Sequence, residues 1–212
     1  MKRTNKQGQA LGRKGEESRR RLMDAALSLL STESVHKLSA SKIARVASMA
    51  SQSFYLYFKD IDEILHALAE EAAADMNGVV AVLRDAPPDM VPETLSRNVI
   101  DAYAAYWDRH RAVLSARNYI ADSGNMAFLK LRQEATMPMI YAIADRIRTA
   151  QPGALTRAAS VSRAVIIYLA MERLAARSNA IQYSSADAGK EDLRRAEIDI
   201  LSLLFTPVAS QG

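Results

Sequence analysis

Residues 39–58, SASKIARVASMASQSFYLYF, constrain the fold more than any other stretch of this chain. Ser39 stands where it can cap a short helix, with Ile43, Ala44, Val46 and Ala47 facing inward. Ser48, Met49 and Ala50 form a turn, and residues 51–58 make a second short helix. Two short helices separated by three residues, with small side chains at their crossing, form a helix-turn-helix. Ala44, Ala47 and Ala50 let the helices approach closely, and Met49 is an apolar plug between them. Ser51, Gln52 and Ser53 occupy the N-terminal end of the second helix, where such a motif meets base edges. A Gln amide pairs bidentately with adenine, and a Ser hydroxyl bonds several bases.

The second helix also carries Phe54, Tyr55, Tyr57 and Phe58, four of the chain's 13 aromatics in five positions. Phe54 and Phe58 are four residues apart and share one helical face, which assigns them to the core. Tyr55 and Tyr57 point elsewhere. A tyrosine hydroxyl beside DNA bonds a phosphate, and Lys59 adds charge at the same edge.

The remaining sequence reads as helix throughout, since sustained period-two alternation is absent. Residues 1–15, MKRTNKQGQALGRKG, form a flexible basic arm. From Glu16 an amphipathic pattern places Leu22, Ala25, Ala26, Leu29 and Leu30 on one face, ending at STESVHK. Asp60 and Glu63 have capping-box spacing and open a long helix through about Arg84, its apolar stripe being Ile61, Ile64, Leu65, Leu68 and Ala72. DAPPDMVPE breaks the chain. Further helical patterns cover about 92–108, 110–122, 125–150, 154–180 and 190–205, with breaks at Gly124, QPG (151–153) and SSADAG (184–189). Pro138 falls inside one pattern and predicts a kink. The expected architecture is all-α: an arm at 1–15, a three-helix DNA-binding domain with the helix-turn-helix at 16–60, and a larger helical body at 61–212.

Charge is divided unevenly. Residues 1–60 carry 12 Lys and Arg against 5 Asp and Glu, whereas residues 61–212 carry 16 against 19. A basic first quarter on a mildly acidic body suits a polyanionic partner. The chain has no cysteine, which removes disulfides and thiolate chemistry and suits the cytoplasm. No apolar run reaches 18 residues, so no membrane partner or span is expected. His36, His66 and His110 lack metal-ligand spacing, and neither a phosphate loop nor a nucleophile elbow is present. An enzyme is therefore disfavoured, and no cofactor is implied.

The segment RRRLMDAALSLL…LSASKIARVASMASQSFYLYFKDIDEILHAL resembles the N-terminal domain of the TetR family of transcriptional repressors. Ile43-Ala44, the turn, the Tyr55 and Phe58 spacing and the Asp60 cap fall in that family's register, and the resemblance covers about residues 16–68. Ser48 stands where the family usually has Gly, and a left-handed Ser costs on the order of 1 kcal/mol. Ala50 stands where Ser or Thr is usual, which offers Ser51 as an alternative cap and a register shifted by one residue. Ile61 replaces a usual Lys, which passes that phosphate contact to Lys59.

The resemblance implies a homodimer on a palindromic double-stranded DNA operator, with a body that binds a small apolar or amphipathic effector. The implied DNA-contacting residues are Ser39, Lys42, Ser51, Gln52, Ser53, Tyr55, Tyr57 and Lys59. Arg13, Lys14 and Arg19 reach a flanking backbone or minor groove. The helices at 154–180 and 190–205 have the apolar content for a four-helix dimer contact. AYWDRHRAVLSA (105–116) and MERLAARS (171–178) are more weakly similar to the subgroup around the mycobacterial ethionamide-resistance regulator. That similarity implies a long apolar pocket lined by Tyr103, Trp107, Met126, Phe128, Met137, Tyr141, Tyr168 and Met171, with Asn118 and Glu172 as polar anchors. A ligand-independent architectural DNA-binding protein and a TetR-like activator remain the alternative readings.

Overall fold

The computed structural model describes residues 12–153, 155–177 and 189–207. Among them are eight α-helices and no strand. In chain order these are α1 (Arg13–Leu30), α2 (Ala40–Val46), α3 (Ser51–Tyr57), α4 (Ile61–Arg84), α5 (Pro92–Asp122), α6 (Met126–Ala150), α7 (Arg157–Arg177) and α8 (Lys190–Phe205), with a 3-10 turn at Val35–Lys37. The chain divides into two compact units, one running to Ala72 and taking in Ala112–Arg132, the other formed by Ala73–Arg111 and everything from Gln133 onward. The division falls inside α4, α5 and α6, not at residue 60 where a change of domain was expected.

Several boundaries differ from the sequence expectation. α1 starts at Arg13, so Arg13, Lys14 and Gly15 are helical with Gly12 at the cap position, and residues 1–11 of the expected arm lie outside the described residues. The two patterns at 92–108 and 110–122 are one helix of 31 residues. Nothing in Asp108-Arg109-His110-Arg111 breaks a helix, because charged side chains are compatible with its solvated face. Pro92 opens α5 at its first position, where the missing N–H costs nothing. Gly124, at φ +95°, closes it: its N–H bonds the Ala121 carbonyl, and that of Asn125 bonds Ile120. A left-handed residue there returns the last carbonyls to partners, and glycine adopts it without strain. The SSADAG break lies, apart from Gly189, outside the described residues.

In the first unit, Leu22, Met23, Ala26, Ile43, Phe54, Phe58, Ile64, Leu114 and Phe128 are buried to 1% exposure or less. The expected stripe of α4 goes inside at Ile64, Leu65, Leu68 and Ala72, while Ile61 is half-buried. Asp60 accepts a bond from the Glu63 N–H at 2.9 Å, and the Glu63 carboxylate accepts from the Lys59 N–H, a reciprocal cap set one residue early. Arg20 bonds Glu71 at 2.7 Å and ties α1 to α4. His66 meets Phe128 edge-on at 5.5 Å.

The second unit has its own core, including Leu95, Val99, Trp107, Met139, Ile143, Ile147, Ala164, Met171, Ile198 and Leu201. Its helices are linked at the rim by polar contacts. His110 bonds Asp75 at 2.9 Å, Arg194 bonds Asp101 at 2.6 Å, and Arg111 donates to the Ala175 and Ala176 carbonyls near the end of α7. A cation at a helix C-terminus satisfies carbonyls that have no intrahelical donor. Pro138 sits on the exposed side of α6.

Candidate nucleic-acid interface

The α2–turn–α3 geometry follows from a few residues. Ser39 caps α2, its hydroxyl oxygen accepting the Lys42 N–H at 3.3 Å. Ala44 and Ala47 are buried at the crossing, whereas Ala50 is exposed and takes no part in it. Val46 also points out, at 46% exposure, against the expectation that it faces inward. With seven residues, α2 makes barely two turns, and Ile43, Ala44 and Ala47 already fill its buried arc.

The turn is a left-handed helix end. Ser48 has φ +55°, its N–H bonds the Arg45 carbonyl at 3.0 Å, and the Met49 N–H bonds Ala44 at 2.8 Å. This pair of bonds is the Schellman pattern, usually closed by glycine. The guanidinium of Arg21 adds a bond to the Ala47 carbonyl. Met49 is half-buried. Ala50 occupies the cap position of α3 and Ser51 is the first helical residue, so Ser51 does not replace it as cap and the register is not shifted.

α3 is anchored by Phe54 and Phe58, both fully buried and 5.8 Å apart between ring centres. Fixing those two directs the rest of the helix outward. Ser51, Gln52, Tyr55 and Leu56 are exposed, and Ser53 and Tyr57 are half-buried. Beside them, Ser41, Lys42, Arg45, Ser48 and Ser51 line a shallow groove between the two short helices. Sequence reasoning missed Ser41 and Arg45. Their i, i+4 spacing, opposite Ile43 and Ala44, was the available signal.

The basic residues are not equally free. Lys42 pairs with Glu33 at 2.8 Å, and that contact holds the Glu33 carboxyl below its usual range. Arg19 lies over the Phe58 ring at 4.9 Å and reaches the Met23 sulfur at 3.1 Å. Lys42 was expected at a phosphate and Arg19 at a flanking backbone or minor groove, and each is occupied within the unit. A cation over a buried ring keeps its alkyl stem packed there. Arg13 pairs loosely with Glu17 at 3.5 Å, Lys59 stands 3.8 Å from Asp60, and Lys14 is exposed. Exposed pairs of this kind cost little to open.

The residues expected to line one long pocket are divided between the units. Asn118, Met126 and Phe128 belong to the first; Tyr103, Trp107, Met137, Tyr141, Tyr168, Met171 and Glu172 belong to the second. Asn118 accepts two bonds from Arg117, Phe128 is core, and Met126 is 70% exposed. In the second unit Trp107 and Tyr168 are buried, Met137 and Glu172 are half-buried, and Tyr141 is 45% exposed. Tyr103 and Met171 line an apolar cavity of about 70 Å3. Among the described residues no three His, Asp or Glu are grouped to hold a metal, and no helix is long and apolar enough to cross a membrane.

Comparison with known proteins agrees with this geometry. Residues 22–68 match the model for bacterial regulatory proteins of the tetR family. Over 58 residues the chain is 45% identical to an uncharacterised helix-turn-helix-type transcriptional regulator of Haemophilus influenzae, spanning 27% of this chain and 28% of that protein's length. Among solved structures, a TetR-like transcriptional regulator from Rhodococcus sp. RHA1 superposes with a TM-score of 0.63 at 20% identity, covering 92% of this chain and 96% of that one. A TetR-family regulator from Streptomyces coelicolor gives 0.66 at 18% identity, over 89% and 80%. The fatty acid degradation regulator FadR from Bacillus halodurans gives 0.64 at 12% identity, over 91% and 96%. These likenesses extend the shared fold over nearly the whole chain and stop short of the ethionamide-regulator subgroup. With its helix-turn-helix built as described, residues 22–68 form a DNA-binding domain of the bacterial regulatory protein tetR family.

Proposed function

We propose that the protein is a sequence-specific DNA-binding repressor of transcription, a homodimer on a palindromic operator, released by a small apolar or amphipathic molecule. The observation that carries this reading is the outward face of α3. Two fully buried phenylalanines hold a seven-residue helix whose Ser51, Gln52 and Tyr55 project into solvent. Folding does not need those side chains there, and a major groove does. Gln52 supplies the adenine-reading amide, and Ser51 and Ser53 supply adaptable hydroxyls. Arg45, Tyr57 and Lys59 border the same face and hold phosphates, which set register without reading sequence.

Self-association is supported by Ile166 and Leu169 on α7 and Ile200 and Leu203 on α8, which are 52–71% exposed. Their i, i+3 spacings put large aliphatic groups side by side on the outside, where a two-fold mate would bury them. A two-fold protein reads two half-sites at a spacing set by the DNA helical turn. The effector acts only through different affinities for two conformations. α4, continuous through both units, is the lever that carries the difference.

The test is selection of bound sequences from a random duplex pool at near-physiological salt. A palindromic motif of fixed half-site spacing is expected. Retention without any motif, lost steeply as salt rises, would instead mark a ligand-independent architectural protein and end this reading.

A further inference from the structure

α3 turns out one side chain unlike its hydrogen-bonding neighbours. Leu56 is 54% exposed on a helix whose other exposed residues are Ser51, Gln52 and Tyr55. A single exposed leucine is ordinary on a protein surface, so its direction carries the information. Phe54 and Phe58, both fully buried, fix which way α3 faces its core. At about 100° per residue, Leu56 points about 180° away from their mean direction and Gln52 about 140° away. Tyr55 and Tyr57 flank the helix at about 80° on either side. Leu56 and Gln52, four residues apart, therefore form the outermost ridge of the helix.

The surroundings of Leu56 narrow what could cover it. The exposed aliphatic residues of the second unit come in pairs, Ile166 with Leu169 and Ile200 with Leu203, and a protein mate rewards such contiguous area. The other exposed aliphatic residue of the helix-turn-helix, Val46, borders the depression beside α1. Leu56 stands by itself among Ser51, Gln52, Tyr55 and Lys59, all exposed. One isobutyl group among polar ones suits a small apolar target that is itself set among polar atoms. The major groove presents such a target in the C5-methyl of thymine, which sits beside the O4 acceptor.

We propose, resting on the operator-reading function above, that Leu56 is a specificity-determining residue that reads a thymine by packing against its C5-methyl. Gln52 and Leu56 are about 6 Å apart along the helix axis and successive base pairs about 3.4 Å apart, so the thymine lies within about two base pairs of the adenine that Gln52 reads. The two side chains divide the work. The amide recognises its base through hydrogen bonds, and the leucine recognises its base through a methyl group that cytosine and uracil lack. Tyr55, on the flank of α3, stays with the phosphates.

The experiment takes the duplex that the full-length protein selects and replaces each thymine of a half-site by deoxyuridine, one at a time, which removes the methyl and leaves the pairing edge intact. Binding at fixed salt is followed by fluorescence anisotropy. At one position per half-site, near the Gln52 adenine, uracil is expected to weaken binding about fourfold, the worth of one buried methyl. Leu56→Ala should bind the thymine duplex about as weakly as the unmutated protein binds the uracil one, and should no longer distinguish the two. Leu56→Met keeps an apolar chain of similar reach and should retain the distinction. Gln52→Ala should leave the uracil effect in place. Leu56 is more than half exposed and alanine favours a helix, so an unchanged melting temperature is expected for Leu56→Ala. A selected half-site without thymine near that adenine, uracil without effect at every thymine, or a uracil effect that persists in Leu56→Ala would each overturn the proposal. A protein that selects a palindrome yet ignores the methyl refutes the Leu56 contact alone. A protein that selects no motif refutes operator recognition and this contact with it.

Discussion

The exposed face of α3 and the exposed faces of α7 and α8 are built from opposite materials. α3 turns out Ser51, Gln52 and Tyr55, groups rich in hydrogen-bonding atoms, on a helix of barely two turns pinned by Phe54 and Phe58. α7 and α8 turn out Ile166, Leu169, Ile200 and Leu203 on helices of 21 and 16 residues. Exposure alone says little, because much of any protein surface is apolar. The chemistry of what is exposed says more. Base edges demand placed donors and acceptors on a helix narrow enough for a groove, whereas a protein mate rewards aliphatic area. Under the proposed function the two faces suit two kinds of partner, DNA for the first unit and a second copy of the chain for the second.

The contrast breaks most visibly at its anchors. Phe54→Ala removes a fully buried ring and should cost about 3–5 kcal/mol of stability in chemical denaturation. A loss under 1 kcal/mol would mean α3 is not held this way. Next, Leu203→Ala removes one aliphatic side chain from each mate and should weaken the proposed dimer by about 2–4 kcal/mol, read as earlier dissociation on dilution in sedimentation. An unchanged dissociation constant would move the interface elsewhere. Gln52→Ala should relax base preference at one position per half-site by about 1–3 kcal/mol if the amide is bidentate. Equal weakening on every sequence would reduce Gln52 to a backbone contact.

Two smaller effects sharpen the comparison of interiors. The Glu197 carboxyl is raised to about 7 in the folded chain, so the folded state holds its proton more tightly than the unfolded state. Stability therefore declines as pH rises from the ordinary carboxyl range to about 7. Glu197→Gln should stabilise the protein at pH 8 by about 1 kcal/mol, a figure reduced for its partial exposure, and should do nothing near pH 4.5. Equal melting shifts at both pH values would count against a desolvated carboxyl. Ser48→Gly relieves a left-handed serine and should add up to about 1 kcal/mol, visible as a melting temperature a few degrees higher. A lower melting temperature would place the strain elsewhere.

Local chemistry made the first unit legible. Ser39 as a cap, a turn at Ser48, Phe54 and Phe58 on one face and the Asp60–Glu63 cap all act within four residues, and each stands where the pattern put it. The residues that misled lay where two surfaces compete. Val46 and Ala50 are apolar and exposed, because each borders an open depression instead of a core, Val46 beside α1 and Ala50 between the two short helices. Lys42 and Arg19 looked free because their partners, Glu33 and Phe58, are 9 and 39 residues away in sequence.

In the body, helical periodicity showed the helices but not which side of each meets what. Met126 and Tyr141 share the apolar character of Phe128 and Tyr168, yet the first pair is exposed and the second is core. A long helix such as α5 passes through both units, so one amphipathic pattern serves several environments. The sequence by itself determined the all-α class, the helix-turn-helix and its anchoring rings, because caps, turns and i, i+4 faces are short-range physics. Tertiary structure alone decided which cations are spent on ion pairs, which aliphatic residues stay outside, and that Tyr103 and Glu197 share one small cavity. Those outcomes depend on the packing of helices distant in sequence, which no local pattern encodes.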